Sequence, residues 1–126
     1  MIAIISCAKS KYHGQDIEAR QLYWKSNLFR LSYKVIKARH PGIPIYILSA
    51  KYGLIPELKH IGTYEQTIKT MTKAEKIAMR ESLPLHDDYI FIGGSEYKSV
   101  LPYPPFLEYG KGLPIGKKMQ YLKSLL

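Results

Sequence analysis

The sequence has little that would support a disulfide-stabilised or membrane protein. Its single cysteine, Cys7, cannot form an internal disulfide within the 126 residues. No run of apolar residues approaches the ~18 that a transmembrane helix needs. Met1 leads directly into a short apolar segment without the basic region of a signal peptide. We therefore expect a cytoplasmic protein that does not associate with membranes.

The motifs of common nucleotide and metal sites are also missing. The sequence contains neither G-x-x-x-x-G-K-[ST] nor G-x-G-x-x-G, so ATP hydrolysis and dinucleotide binding are disfavoured. Its histidines, His13, His40, His60 and His86, are scattered without an i, i+4 pair, and no C-x-x-C occurs. We predict no metal site and no cofactor.

Acidic residues are scarce in the first half of the chain. Residues 1–63 contain ten Lys or Arg and only three Asp or Glu, whereas residues 64–126 contain nine and seven. The whole chain carries a formal net charge of +9. Such a positive half favours a nucleotide, a nucleic acid or another phosphorylated partner. The alternative is that the lysines serve only solubility. The sequence does not indicate an oligomeric state.

Three short apolar segments alternate with helical patterns along the chain. The predicted strands cover residues 2–6, 44–49 and 89–92. The predicted helices cover about 17–39 with an Asp16 cap and an interruption near Ser26, 72–83 with a Thr72/Glu75 capping box, 95–101, and 114–124. This alternation predicts a single α/β domain over residues 1–126. We expect a three-layer sandwich in which helices flank a small, mainly parallel sheet of three to four strands.

Polar residues follow each predicted strand. The carboxyl ends of parallel strands meet at one edge of the sheet, where α/β proteins bind ligands. Our ligand-binding candidates at this edge are Ser6, Lys9, Lys11, Ser49, Tyr52, Gly53, Tyr64, Gly93, Gly94 and Ser95. The lysines would hold a phosphate, and the backbone N–H groups of residues 93–95 would form an anion nest. Ordinary solvated loop lysines are the alternative.

Three further residues are candidates for catalysis. Cys7 follows the first strand, where Lys9 or Lys11 would favour its thiolate form, although a small buried thiol is the alternative. Lys51 would hold phosphate or assist the reaction. Glu65 is the carboxylate that we rank first as a base or electrostatic stabiliser, and an ordinary surface glutamate is its alternative.

Aromatic and basic side chains add two further hypotheses. Tyr52 or Tyr64, beside the lysines, would stack on a nucleobase, or else pack down as a lid on the core. Arg30, Lys34 and Lys37 fall on one side of a predicted helix. They would follow a phosphate backbone, or else form an ordinary solvated helix face.

Several motifs give the chain a resemblance to a known family. They are Ser6-Cys7-x-Lys9-x-Lys11, Ala19-x-x-Leu22-Tyr23-x-x-Ser26-x-x-Phe29, Ile47-Leu48-Ser49-Ala50-Lys51-Tyr52-Gly53-Leu54, Tyr64-Glu65-x-Thr67 and Gly116-Lys117-x-x-x-Tyr121-Leu122. Over nearly the whole chain these motifs resemble a small uncharacterised domain family of bacteria, archaea and their viruses.

Two more distant resemblances point to nucleic acids. The order of features is similar to that of the peroxide-stress protein YaaA family, whose longer members are linked to DNA binding and to limiting oxidative DNA damage. Cys7 stands where that family has proline, and Lys51 also departs from its second loop. The loop from Ser6 to Tyr12 is weakly similar to one in tRNA-deazaguanine enzymes such as archaeosine synthase, which implies nucleobase chemistry.

Three functions are compatible with these features. The first is an enzyme that acts on a nucleotide or a nucleic-acid base, by base-modifying or glycosylase-like chemistry. The second is a non-catalytic DNA- or RNA-binding module that uses the basic first half. The third is a sensor of a phosphorylated metabolite. A concave pocket at the strand ends would favour the first function, and a broad basic face would favour the second.

Overall fold

Seven strands and five α-helices form the computed structural model, which describes residues 1–9 and 11–126. Ser10 lies outside the described residues. The strands are β1 (Ile2–Ser6), β2 (Ile17–Glu18), β3 (Ile45–Ser49), β4 (Gly53–Pro56), β5 (His60–Ile61), β6 (Tyr89–Ile92) and β7 (Leu107–Glu108). The α-helices are α1 (Ala19–Leu22), α2 (Asn27–Arg39), α3 (Lys73–Ser82), α4 (Ser95–Lys98) and α5 (Ile115–Ser124), and a 3-10 helix covers Ile68–Thr70.

The main sheet has five strands in the order β4-β3-β1-β6-β7. Strand β1 pairs in parallel with β3 and β6, β7 is parallel to β6, and β4 is antiparallel to β3. The predicted α/β class and its mainly parallel sheet are confirmed. The prediction of three to four strands is too low, because β4 and the two-residue β7 are too short to show a period in the sequence.

Successive side chains of a strand point to opposite faces of the sheet. The sheet therefore has a separate apolar core on each face. Ala3 and Ile5 pack with residues of α1, α2 and α5 on one face. Ile4 and Phe91 pack on the other face, which is covered mainly by the segments around the 3-10 helix and after α3. Apolar cover on both faces gives the expected three-layer sandwich.

The helix boundaries follow local capping chemistry. The Ser26 side chain accepts a hydrogen bond from the Phe29 N–H at 3.2 Å and starts α2, where the interruption was predicted. Both bonds of the Thr72/Glu75 capping box are present at the start of α3. The prediction that Asp16 caps the first helix is wrong. Its φ of 60° turns the chain into β2, which pairs with β5, and α1 begins only at Ala19.

Strand β1 lies at the centre of the sheet, and later strands are added on both sides of it. From β1 the chain passes through α2 to β3 on one side, and later returns to β6 on the other side. The carboxyl ends of β1 and β6 therefore flank a topological switch point, the place where open α/β sheets form a ligand-binding crevice. Ser6 ends β1, and Gly93 follows β6 at this point.

The helices are short. In the part of the chain that the structure describes, none is both long enough and apolar enough to cross a membrane.

Candidate functional site

A cavity of about 250 Å³ opens at the switch point between β1 and β6. We call it the central cavity. It is lined by Ile5, Ser6, Cys7, Ala8, Lys9, Ser26, Leu28, Phe29, Ser32, Ile92, Gly93, Gly94, Tyr97 and Ile115. Side chains of α2 and of the first residue of α5 form its apolar wall, and the loop after β1 supplies its polar rim. The crevice expected from the topology is therefore present.

Two further cavities adjoin the central one. The lysine-side cavity, of about 220 Å³, shares Cys7, Ala8, Lys9 and Tyr97 with it and adds Lys11, residues 66–69 and Glu96. The C-terminal cavity, of about 490 Å³, shares Leu28, Gly94 and Ile115 with it and adds Ser95, Lys98, Glu108, residues 111–114 and Lys118. We refer to the three together as the strand-exit cleft.

Ser6 and Gly93 are in close contact at the base of the cleft. A Cβ atom on Gly93 would lie 2.3 Å from Ser6 Oγ, so only glycine fits there. The Gly94 N–H donates a hydrogen bond to Ser6 Oγ at 3.2 Å. One N–H group of the predicted anion nest is therefore already used within the protein. Ser95 is exposed at the start of α4, a helix of only four residues.

Cys7 contacts Tyr97 across the shared wall of the central and lysine-side cavities. The Cys7 Sγ atom and the Tyr97 hydroxyl oxygen are 2.9 Å apart. Burial is the main cause that raises the pKa of the Tyr97 hydroxyl, and the neighbouring Cys7 raises it further. Cys7 is buried, with 8% of the residue exposed, and it lies in the wall that the two cavities share.

Ser49 and Tyr64 belong to a buried hydroxyl network beneath the cleft. The Tyr64 hydroxyl is 2.5 Å from that of Tyr23 and 2.8 Å from Ser49 Oγ. Ser49 Oγ also accepts hydrogen bonds from the backbone N–H groups of Lys51 and Tyr52. Burial raises the pKa of the Tyr23 and Tyr64 hydroxyls, so both stay protonated above the pH of about 10 at which an ordinary tyrosine ionises.

The conspicuous segment Ser49–Gly53 is a hairpin turn. Ser49 pairs with Gly53 across β3 and β4, and the residues between them form a three-residue loop. Gly53 has a φ of 73°, the left-handed conformation that such loops place on glycine. Lys51 therefore lies exposed at the hairpin tip, with its Nζ 5.3 Å from the centre of the Tyr52 ring.

Only part of the predicted lysine cluster reaches the cleft. Lys9 is exposed and lines both the central and the lysine-side cavities. Lys11 lines the lysine-side cavity, donates a hydrogen bond to the Lys9 carbonyl oxygen at 3.2 Å, and lies 4.7 Å from the centre of the Tyr64 ring. Lys51 lines none of the three cavities of the cleft.

The remaining predicted site residues lie outside the three cavities. The Tyr52 and Tyr64 rings meet edge to face at 5.5 Å, and Tyr64 is only 7% exposed, so both act as packing groups. Glu65 is exposed, and no described residue forms a hydrogen bond or ion pair with its side chain. Tyr97, which the sequence analysis did not select, is the aromatic residue that lines two of the cavities.

The basic stripe of α2 faces away from the cleft. At 100° per residue, Arg30, Lys34 and Lys37 lie roughly opposite Leu28 and Ser32, which line the central cavity. The Arg30 guanidinium donates to the Trp24 carbonyl oxygen at 2.5 Å and also contacts Asn27. Lys34 and Lys37 are exposed, and Lys37 Nζ lies 5.5 Å from the centre of the Tyr33 ring.

A buried lysine and a buried glutamate were missed by sequence analysis. Lys118 is 5% exposed, and its Nζ donates a hydrogen bond to the Gly93 carbonyl oxygen at 2.6 Å. Burial lowers the pKa of Lys118, while the nearby Glu108 partly opposes this shift. Lys118 precedes the buried Leu122 by four residues, so the two lie on the same face of the last helix. This spacing is the sequence feature that indicates a buried lysine.

Glu108 is the buried carboxylate of the C-terminal cavity. It ends the short edge strand β7, and its side chain is 4% exposed. Lys98 Nζ approaches Glu108 Oε1 to 2.9 Å. Strand β7 has only two residues and follows a proline-rich segment. It is too short to show the alternation of apolar and polar residues by which a strand is predicted. Within residues 1–9 and 11–126, no group of three His, Cys, Asp or Glu side chains is placed to hold a metal ion.

Comparison with known proteins identifies the family of this chain. Neither the search of curated proteins nor the search of solved structures gave a match. A model of a family of unknown function, DUF6884, matches residues 2–124, which is nearly the whole sequence. The chain therefore belongs to this small uncharacterised domain family, DUF6884.

Proposed function

We propose that the strand-exit cleft binds a nucleotide, either free or as a unit of a nucleic acid. The observation that carries this proposal is the position of the central cavity, which opens at the β1/β6 switch point and has Lys9 at its rim. The adjoining cavities have volumes within or just below the ~300–1,000 Å³ that is usual for small-molecule sites. A concave pocket at the strand ends is the feature that would favour the first function, an enzyme acting on a nucleotide or a base, over a binding module.

The phosphate group would occupy the lysine-side cavity. Lys9 and Lys11 both line it, and Lys9 Nζ forms no hydrogen bond or ion pair with any described residue. Lys69 lies in the same wall, but its Nζ is 3.8 Å from Glu96 Oε1. Two ammonium groups beside one cavity favour a phosphorylated ligand, which is consistent with the positive first half of the chain.

The base would occupy the central cavity. Its wall is formed by Leu28, Phe29 and Ile115, and Tyr97 stands between it and the phosphate side. An apolar wall beside a cationic rim fits a flat heterocycle joined to a phosphate. We assign the base contact to Tyr97 in place of Tyr52 and Tyr64, because those two rings pack below the cleft.

If the bound nucleotide is also a substrate, we assign the role of nucleophile to Cys7. Its thiol lines both the central and the lysine-side cavities and contacts the Tyr97 hydroxyl. A base-modifying or glycosylase-like reaction would then be lost in Cys7→Ala with nucleotide binding retained. The resemblance of the two loops to the YaaA family, which is linked to DNA, supports a nucleic-acid substrate.

Calorimetry with mononucleotides and short single-stranded oligonucleotides tests the proposal. We expect the double variant Lys9→Ala/Lys11→Ala to weaken binding by roughly tenfold to a hundredfold for each ammonium group that contacts the phosphate, because a hydrogen bond to a charged group contributes about 1.5–3 kcal/mol. The matched control, Lys34→Ala/Lys37→Ala, removes the same charge from α2 on the side away from the cleft. Equal affinities for the two double variants would contradict the proposal, as would a wild-type protein that binds no nucleotide.

The non-catalytic nucleic-acid module remains a second candidate. It is favoured by the exposure of Lys34 and Lys37 on one continuous helix face. In that case the α2 double variant would lower oligonucleotide affinity and its salt dependence, whereas mononucleotide binding would be absent. Ribose 5-phosphate that binds as tightly as a nucleotide would instead support the sensor of a phosphorylated metabolite.

A further inference from the structure

The C-terminal cavity forms a second basic region of the cleft, separate from the lysine-side cavity. Both cavities adjoin the central cavity, but they share no lining residue with each other. Three lysines line the C-terminal cavity against a single carboxylate, that of Glu108. The excess of positive charge favours an anion in this cavity as well.

Lys111 is the lysine of this cavity that can contact a ligand directly. Lys98 Nζ lies 2.9 Å from Glu108 Oε1 and offsets the charge of that buried carboxylate. Lys118 Nζ donates a hydrogen bond to the Gly93 carbonyl oxygen at 2.6 Å. Lys111 is exposed, and its Nζ forms no hydrogen bond or ion pair with any described residue.

The turn that contains Lys111 offers backbone donors to the same cavity. The Leu113 N–H donates a hydrogen bond to the Gly110 carbonyl oxygen at 3.1 Å, which closes the turn. Within it, the N–H groups of Lys111 and Gly112 donate to no described residue, and Gly112 lines the cavity. Successive N–H groups of a turn beside a lysine are suited to an anion such as phosphate.

The central cavity, to which we assign the base, adjoins both basic cavities. It shares Lys9 and Tyr97 with the lysine-side cavity, and Leu28, Gly94 and Ile115 with the C-terminal cavity. A ligand whose base occupies the central cavity can therefore extend into both neighbours. A nucleotide with phosphate on only one side of its ribose would leave one basic cavity without an anion.

We propose that the cleft binds a nucleotide that carries phosphate on both the 5′ and the 3′ side of its ribose, with one phosphate at Lys111. This inference rests on the proposed nucleotide-binding function. Such a group occurs at every internal position of a single strand and in a free nucleoside 3′,5′-bisphosphate. The chemistry that Lys111 would recognise is the same in both.

A neighbouring cavity favours the single strand as the source. This cavity, of about 590 Å³, shares Lys98 and Lys111 with the C-terminal cavity and is also lined by Phe106. Phe106 is 68% exposed. An exposed aromatic ring next to a lysine is suited to the stacking of the next base along a strand.

Titration calorimetry with isomeric nucleotides tests the proposal on the wild-type protein. Each of the four ribonucleosides is used as its 5′-monophosphate, its 5′-diphosphate and its 3′,5′-bisphosphate. We expect the bisphosphate to bind roughly tenfold to a hundredfold more tightly than the monophosphate, through added charge-assisted hydrogen bonds. The diphosphate has the same atoms as the bisphosphate but both phosphates on one side. Equal affinities for these two isomers would overturn the inference.

Lys111→Ala supplies the second measurement. We expect this variant to lose the preference for the bisphosphate over its diphosphate isomer. The matched control Lys117→Ala removes the same charge from an exposed residue that lines none of the three cavities, and should keep the preference. A full preference in Lys111→Ala would also overturn the inference. If no nucleotide of any form binds, the proposed function itself fails.

A trinucleotide without terminal phosphates distinguishes the two sources, because its middle nucleotide has one phosphate on each side. We expect it to bind more tightly than the bisphosphate of the same base, which would identify a single strand as the ligand. Weaker binding of the trinucleotide would identify the free bisphosphate instead.

Discussion

The Lys118 ammonium group donates a hydrogen bond to the Gly93 carbonyl oxygen across 2.6 Å, which ties helix α5 to the exit of β6. The lysine stem passes over Gly110, where a Cβ atom would lie 2.8 Å from Lys118 Cγ. Gly110 also has a φ of 72°, a left-handed conformation that favours glycine. Both the backbone conformation and the lack of space therefore require a glycine at this position. The last helix is thus fixed to the switch point by a buried polar contact.

We expect Lys118→Met to destabilise the protein by about 1–3 kcal/mol, because the Gly93 carbonyl oxygen would lose its buried donor. The methionine side chain keeps most of the apolar stem, so the loss reports the hydrogen bond and not a cavity. Urea denaturation gives the free energy of unfolding. The control is Lys117→Met on the exposed side of the same helix, which should change that value by less than about 0.5 kcal/mol.

Comparing Gly93→Ala with Gly94→Ala tests whether the packing around Gly93 requires a glycine, since Gly94 has room for a methyl group. A Cβ atom on Gly93 would lie 2.3 Å from Ser6 Oγ, whereas one on Gly94 would lie 3.8 Å from Tyr97 Cδ2, an ordinary contact. We expect Gly93→Ala to cost about 1–3 kcal/mol through overpacking and Gly94→Ala to leave stability nearly unchanged. Equal thermal midpoints for the two variants would show that Ser6 moves aside freely.

Tyr64→Phe should be destabilising although it removes a single oxygen atom. The hydroxyl is shared with Tyr23 and Ser49, both of which are fully buried. Their polar atoms would each lose a partner, at a cost of about 1–3 kcal/mol. Chemical denaturation measures the difference. Tyr12→Phe, on a half-exposed tyrosine, is the matched control and should have no measurable effect.

Alkaline titration should resolve the buried tyrosines from the exposed ones. Burial raises the pKa of Tyr23, Tyr64 and Tyr97, and raises that of Tyr89 to about 12. The folded protein holds these protons at a pH where the unfolded chain releases them. Their contribution to stability is therefore complete below the ordinary tyrosine pKa of about 10 and is lost as the pH rises above it.

Ultraviolet absorbance of tyrosinate measures this behaviour directly. We expect the buried tyrosines to form a second group, which ionises only as the fold is lost above pH ~10. Circular dichroism recorded in parallel should show unfolding together with the second group. A single smooth titration of all eleven tyrosines with the fold intact would contradict the burial of these hydroxyls.

Cys7 provides a direct probe of the cleft because it is the only cysteine in the chain. Its thiol lines the central and lysine-side cavities, so a saturating nucleotide should slow its alkylation several-fold. Mass spectrometry follows the modified fraction over time. Inorganic phosphate at the same ionic strength is the control for salt effects. A rate that is unchanged under saturating nucleotide would place the ligand elsewhere.

Strong local signals explain what could be predicted from the sequence. The three long strands and α3 were foreseen because apolar runs and a Thr72/Glu75 capping box act locally. The position of the cleft followed from the topology, and Ser6, Cys7 and Lys9 lie in its lining.

Tertiary arrangement explains what could not be predicted. The loop after β3 turns back at Gly53 into the antiparallel β4, which carries Lys51 to the hairpin tip and away from the cleft. Glu108 and Lys118 lie far from the strand exits in sequence, and a two-residue strand and the last helix bring them there. Short edge strands and contacts between distant residues produce no hydrophobic periodicity that a single sequence can show.

Helix α3 offers a practical site for chemical attachment. None of its residues is fully buried, and its first turn is fixed by its own capping box. Ala74 and Ala78 are exposed on this helix, and neither lines any of the three cavities of the cleft. A fluorophore or surface tether joined to a cysteine at either alanine, in a Cys7→Ser background, would immobilise the protein with its crevice unobstructed.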